Sequence, residues 1–68
     1  MIKFELKETY IELFKLLKVL DLVDSGAEAK IIIADANVRR NGIIETRKRA
    51  KIIAGDIIEI AEITIQVS

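Results

Sequence analysis

The sequence predicts an α+β fold, and three observations carry that reading. Two Ser/Thr-x-x-Glu helix-start signals follow one another, an Asn-Gly dipeptide joins two strand-like segments, and apolar and polar residues alternate at both ends of the chain. With 68 residues, a single domain spanning residues 1–68 is expected. A chain of that size buries only about 60% of the surface it exposes when unfolded, so its core is thin. The composition compensates: 51% of the residues are hydrophobic, most of them Ile, Leu and Val, which favour burial and strands.

Ile2, Phe4 and Leu6 alternate with Lys3, Glu5 and Lys7, which predicts a short opening strand with one face on the core. Thr9 and Glu12 have capping-box spacing, so a helix is expected from Tyr10. Tyr10, Leu13, Phe14, Leu17 and Leu20 fall on its apolar stripe, and it loosens by about Val19 to Asp21. Ser25 and Glu28 repeat the signal for a second helix, with Gly26 at its first position and its end near Ala36. Ala27, Ala29, Ile31, Ile32, Ile33 and Ala34 make this helix apolar around most of its circumference. Lys30 is its only cation and is expected at an edge, its stem over apolar surface and its ammonium free.

Val38-Arg39-Arg40 and Ile43-Ile44-Glu45 flank Asn41-Gly42, the pair favoured in type I′ hairpin turns because both residues accept positive φ. Alternation with Val38 points Arg39 away from the core. Thr46 to Ala50 has no apolar period, and the four charges from Arg47 to Lys51 place this segment on the surface. Ile52-Ile53 returns to the core, and Ala54-Gly55-Asp56 turns. Ile57 to Ala61, then Ile63, Ile65 and Val67, give one or two closing strands around a glycine-free turn near Ala61-Glu62.

The chain contains no cysteine, histidine or proline. No thiolate, imidazole base, disulfide or ordinary zinc site can form, and no cofactor or metal is expected. The opening residues lack the apolar run of a signal peptide, and no stretch reaches the about 20 apolar residues of a membrane span. A soluble, cytoplasmic, monomeric protein is expected.

Eleven basic and eleven acidic side chains cancel, yet they are not mixed evenly. Lys30, Arg39, Arg40, Arg47, Lys48, Arg49 and Lys51 lie between positions 30 and 51, with only Asp35 and Glu45 among them. Every arginine falls in this block, and a guanidinium fork matches phosphate oxygens as a lysine point charge does not. Phe4, Phe14 and Tyr10 all fall on apolar faces away from the block, so recognition by shape and phosphate is expected over base stacking.

Leu16-Leu17-Lys18, Ser25-Gly26-Ala27-Glu28-Ala29-Lys30, Asn41-Gly42 and Glu45-Thr46-Arg47-Lys48-Arg49, in this order and spacing, resemble the S4 RNA-binding domain. The likeness is closest to the small stand-alone YbcJ-like S4-domain proteins of bacteria, and it covers roughly Tyr10 to Val67. The resemblance implies an αL motif, two packed helices against a small, mainly antiparallel sheet. It also implies structured RNA as partner, ribosomal RNA or the ribosome first, lying along helix two, the hairpin and the basic loop. Lys18, Lys30, Arg47, Lys48, Arg49 and Lys51 match the family's basic positions, and Arg39 joins them as the hairpin's contact.

Two departures stand out. The family usually has glycine where this chain has Asp35-Ala36-Asn37, and Asn37 is expected to supply the positive φ. Arg40 stands where the family is usually apolar, which places it at a sheet edge on the basic surface or implies a different hairpin register.

Two other functions remain open at this level. A protein-interaction module would dock an acidic partner on the basic surface, or pair its closing strand edge to edge. An enzyme would have to use carboxylates such as Asp56 with Glu59. For Arg47-Lys48-Arg49 the plain alternative is a solvated loop paired with Glu45 or Glu59.

Overall fold

The structure, a computed structural model, describes residues 1–68. In chain order the elements are β1 (Ile2–Phe4), β2 (Ile11–Glu12), α1 (Leu13–Val19), α2 (Gly26–Ala34), β3 (Val38–Arg40), β4 (Ile43–Ile44), β5 (Lys51–Ile52), β6 (Ile57–Ile60) and β7 (Ile63–Val67). Five strands form one sheet in the order β1-β7-β6-β3-β4. All its neighbours are antiparallel except β1 and β7, the alternating ends of the chain, where Ile2 lies opposite Ile65 and Phe4 opposite Val67. The closing segment is therefore two strands, and β7 has a neighbour on each side. It has no free edge to offer a partner.

Period-two alternation sorts the sheet into two faces. Val38, Ile58, Ile60, Ile65 and Val67 are buried, and they share one core with Leu13, Phe14, Leu16 and Leu17 of α1 and Ala29 and Ile33 of α2. Gly26 matters here because a Cβ at that position would meet the Phe14 ring at 3.6 Å; its absence lets the start of α2 sit close on α1. The outer stripe of α2 stays open instead of buried: Ala27, Ile31 and Ala34 are all exposed. Ile52 enters the core, while Ile53 turns outward.

The expected cap at Thr9 does not form. The chain bends at Glu8 and Thr9 and is then extended at Ile11 and Glu12, where β2 pairs antiparallel with β5, Ile11 opposite Ile52 and Glu12 opposite Lys51. Helix α1 starts at Leu13, three residues late, with no side-chain cap. Its first amides are satisfied by the basic loop: Leu13 N–H donates to the Ala50 carbonyl and Phe14 N–H to the Lys48 carbonyl, both at 3.0 Å. Two of the donors a helix start leaves unpaired are thus met by tertiary contact, which outweighs a local cap. Tyr10 consequently lies outside the helix and is exposed.

At α2 the expected cap forms. Ser25 Oγ accepts from the Glu28 amide at 3.1 Å, while Glu28 Oε1 reaches one residue further back, to the Asp24 amide. The residue with positive φ after α2 is Ala36 (φ 63°), not Asn37, and Ala61 (φ 53°) plays the same part between β6 and β7. Asn41 (φ 52°) and Gly42 (φ 83°) both adopt the left-handed conformation the hairpin requires.

Candidate RNA-binding surface

The basic loop between β4 and β5 is held by its backbone, so its side chains are presented from a fixed frame. The Lys48 and Ala50 carbonyls are tied to the start of α1, and the Ala50 amide closes a tight turn onto the Arg47 carbonyl at 3.1 Å. Ala50 is buried beneath the loop, whereas Arg47, Lys48, Arg49 and Lys51 are exposed.

Arg40, Arg47, Arg49 and Lys51 converge with Ala50 around an open niche of about 380 Å³. Beside it, three cations surround the nearly buried ring of Phe14: Lys30 Nζ at 4.8 Å from the centroid, the Arg49 guanidinium at 5.3 Å and Lys15 Nζ at 5.8 Å. Lys30 is thus not a free ammonium over aliphatic surface; its charge rests against an aromatic face. Helix two and the loop meet at Phe14, with Arg49 common to both groups of cations.

Lys15 lies outside the basic positions that the sequence singles out. The structure gives it a place on this surface, because Phe14 brings three distant segments to one point. Lys18 is exposed on the same helix and lines a second groove with Lys15 and Tyr10. Arg39 stands apart: it is exposed, but β3 alternates Val38 inward and Arg39 outward, so it projects from the opposite face of the sheet.

The expectation that no aromatic lies near the basic block is overturned. Phe14 is the hub just described, and Lys51 Nζ lies 5.1 Å from the ring centroid of Tyr10. The misplaced helix start hid this, since a helical Tyr10 would have faced the core.

Arg40 fits neither of its two expectations. The register is as expected, with Arg40 opposite Ile43 and Arg39 opposite Ile44. Its guanidinium, however, turns toward Asp56, donating to Oδ2 from Nε at 3.1 Å and Nη2 at 2.8 Å, and Nη2 also reaches the Lys51 carbonyl at 2.8 Å. Asp56 is the one buried charged residue. It further accepts from Asn41 Nδ2 at 3.0 Å and from the Ile53 amide at 2.9 Å. Burial alone would raise the Asp56 carboxyl, but the donors Ile53, Asn41 and Arg40 together hold it below the usual carboxylate range. The hairpin and the Gly55 turn are thereby locked together. An Asp56 bound on both oxygens and kept ionised is poorly suited to proton transfer with Glu59.

Two other acids sit among the cations. Glu45 takes Arg47 in a forked pair, Nε to Oε2 at 3.0 Å and Nη2 to Oε1 at 3.1 Å. The hydrogen bond from Arg47 lowers the Glu45 pKa, and Glu45 in turn raises that of Arg47. Glu12 bridges Lys15 at 3.2 Å and Arg49 at 3.3 Å, and its pKa is lowered first by the Lys15 hydrogen bond. Of the two acids expected to pair with Arg47-Lys48-Arg49, Glu45 does so and Glu59 makes no ion pair. Lys18, Lys30, Arg39, Lys48 and Lys51 have no acidic partner within ion-pair distance.

Comparison with known proteins places these features in a wider set. Residues 4–68 match the family described as the S4 domain. The chain is 46% identical over 61 residues to YbcJ of Escherichia coli (strain K12), covering 90% of this chain and 87% of that one, and matches YbcJ of Shigella flexneri to the same extent. The solution structure of YbcJ from E. coli, described as revealing an αL motif involved in RNA binding, superposes with a TM-score of 0.75. It covers 98% of this chain and 86% of its own.

Proposed function

The chain belongs to the S4 domain family, and on that premise we propose that it binds structured RNA, ribosomal RNA first, without catalysing a reaction. The observation that carries this reading is the convergence of Arg47, Arg49 and Lys51 on one niche, with Lys30 and Lys15 beside it, in a chain of zero net charge. A neutral protein has no general attraction for nucleic acid, so a local field of this sign is what selects a polyanion. The contact set is Lys18, Lys30, Arg47, Lys48, Arg49 and Lys51, joined by Lys15; Arg39 lies outside it. The backbone-tied loop holds these side chains at fixed spacing, which favours a folded RNA whose phosphates already have a matching shape. No helix is long and apolar enough to cross a membrane; a cytoplasmic location and a monomeric state are part of the proposal.

The test is a double charge reversal, Arg47→Glu with Arg49→Glu, in the full chain. Both side chains are exposed, so the fold is expected to persist by circular dichroism while RNA affinity at low salt falls at least tenfold. An unchanged affinity in the folded variant rejects this surface.

Strand addition to a protein partner has one observation in its favour: β4 is an edge of the sheet, with Ile43 74% and Ile44 51% exposed. Co-sedimentation with ribosomes that ribonuclease abolishes decides for RNA, and a complex that survives ribonuclease decides for a protein partner.

A further inference from the structure

The RNA-binding reading accounts for the cations but leaves Tyr10 unused. Tyr10 is 42% exposed and sits just before β2, the strand whose Glu12 pairs with Lys51. It opens onto a groove of about 840 Å³ lined among others by Thr9, Glu12, Lys15, Lys18 and Val19, with Val19 also exposed. An exposed aromatic alone needs no explanation. This one bears a cation at its ring, and that same Lys51 lines the open niche of the arginines. Lys51 therefore joins an aromatic surface to an anion-attracting one.

We propose that the groove at Tyr10 is a nucleobase subsite, taking one unpaired base of the bound RNA by stacking on the ring. A nucleotide presents a flat π surface next to a phosphate, and Tyr10 with Lys51 presents the complement of both. Replacing the contact between Lys51 and the ring by a base leaves the ammonium free for the phosphate of the same nucleotide. The subsite adds a preference for a bulge or junction to a surface that otherwise reads phosphates and shape. The inference rests on the RNA-binding reading and extends it to the kind of RNA.

The probe is an RNA duplex with a single unpaired base, set against the same duplex without it, at low salt. Tyr10 is the only tyrosine and there is no tryptophan, so intrinsic fluorescence reports on this ring alone. The bulged duplex is expected to bind about tenfold more tightly and to quench the emission. Tyr10→Phe retains the preference. Tyr10→Ala and Tyr10→Leu lose it while still binding the fully paired duplex, which also shows that they are folded. Equal affinity of the native protein for the two RNAs overturns the subsite and leaves the RNA reading standing, as does a preference that survives in Tyr10→Ala. Failure of the native protein to bind either RNA overturns both.

Discussion

Arg49 donates from Nη1 to Glu12 Oε2 at 3.3 Å, joining the basic loop to the start of α1 across 37 positions of sequence. The same carboxylate holds Lys15, and Glu45 holds Arg47 by a forked pair. On the proposed surface these acids occupy the cations that an RNA phosphate would take.

Neutralising either acid is therefore expected to strengthen RNA binding. Each of these ion pairs has to open before its cation can meet a phosphate, so Glu12→Gln or Glu45→Gln is expected to raise affinity about threefold at low salt. A titration against a structured RNA measures it. Weaker binding in both variants would mean instead that the acids orient the cations for their ligand.

Salt dependence counts the phosphate contacts. With about four cations engaged, the log–log slope of affinity against salt is expected near −3, and the Arg47→Glu and Arg49→Glu double variant is expected to flatten it by about 1.5 or more. An equally steep slope in the variant places the contacts elsewhere.

Asp56 predicts a structural effect that its acidic character alone does not. Asp56→Asn leaves the half-buried Arg40 guanidinium without its counter-charge, and the expected loss is about 2 kcal/mol by denaturant unfolding. A variant as stable as the native chain would show that Arg40 finds a substitute partner, Glu45 being the nearest acid at 3.8 Å.

The pH dependence follows from the same groups. Asp56, Glu45 and Glu12 all have folded pKa values below their ordinary ones. Their stabilisation is fully present above the unfolded carboxylate range, about pH 4, and is lost as pH falls through the depressed folded values. Stability measured downward from neutrality is expected to stay level and then drop below about pH 4. Asp56→Asn removes one titrating group, so its acid limb is expected to be shallower; an equally steep limb would assign the acid sensitivity to the two glutamates.

Ala36→Gly is expected to stabilise the protein. A non-glycine residue at φ 63° pays a steric penalty of about 1–2 kcal/mol, partly offset in glycine by the greater freedom of the unfolded chain. A net gain of about 0.5–1 kcal/mol, or about 4 °C in Tm, is expected from a thermal melt. A lower Tm would show that the methyl group packs usefully despite its strained backbone.

How much was legible in the sequence depended on whether the deciding interaction was local. Ser25 and Glu28 announced the start of α2 because a cap is made within a few residues, and Asn41-Gly42 announced the hairpin because two φ angles decide it. The alternation of Val38 with Arg39, and of Ile65 and Val67 with Thr64 and Gln66, marked which side of those strands faces the core; Ile57-Ile58 does not alternate, and there the fold decided. The cations at Arg47, Lys48, Arg49 and Lys51 were likewise visible, since charges in an aperiodic loop have nowhere to go but the surface.

Tertiary structure decided the rest, wherever a local signal competed with a distant partner. Thr9 and Glu12 carried a valid helix-start spacing, but pairing with Lys51-Ile52 keeps Ile11-Glu12 extended, and the carbonyls of Ala50 and Lys48 accept from the first amides of a helix that begins at Leu13. That one substitution exposed Tyr10 and brought Glu12 to Arg49. It also set Phe14 among Lys15, Lys30 and Arg49, three cations from separate segments that no sequence window contains together. Arg40 was diverted from the surface by Asp56, 16 positions away, because a buried carboxylate requires donors and the fold delivered this one. Sequence thus determined the second helix, the hairpin and the charged loop; the fold alone determined where the first helix begins and which charges are free to meet a ligand, because both depend on distances between segments remote in the chain.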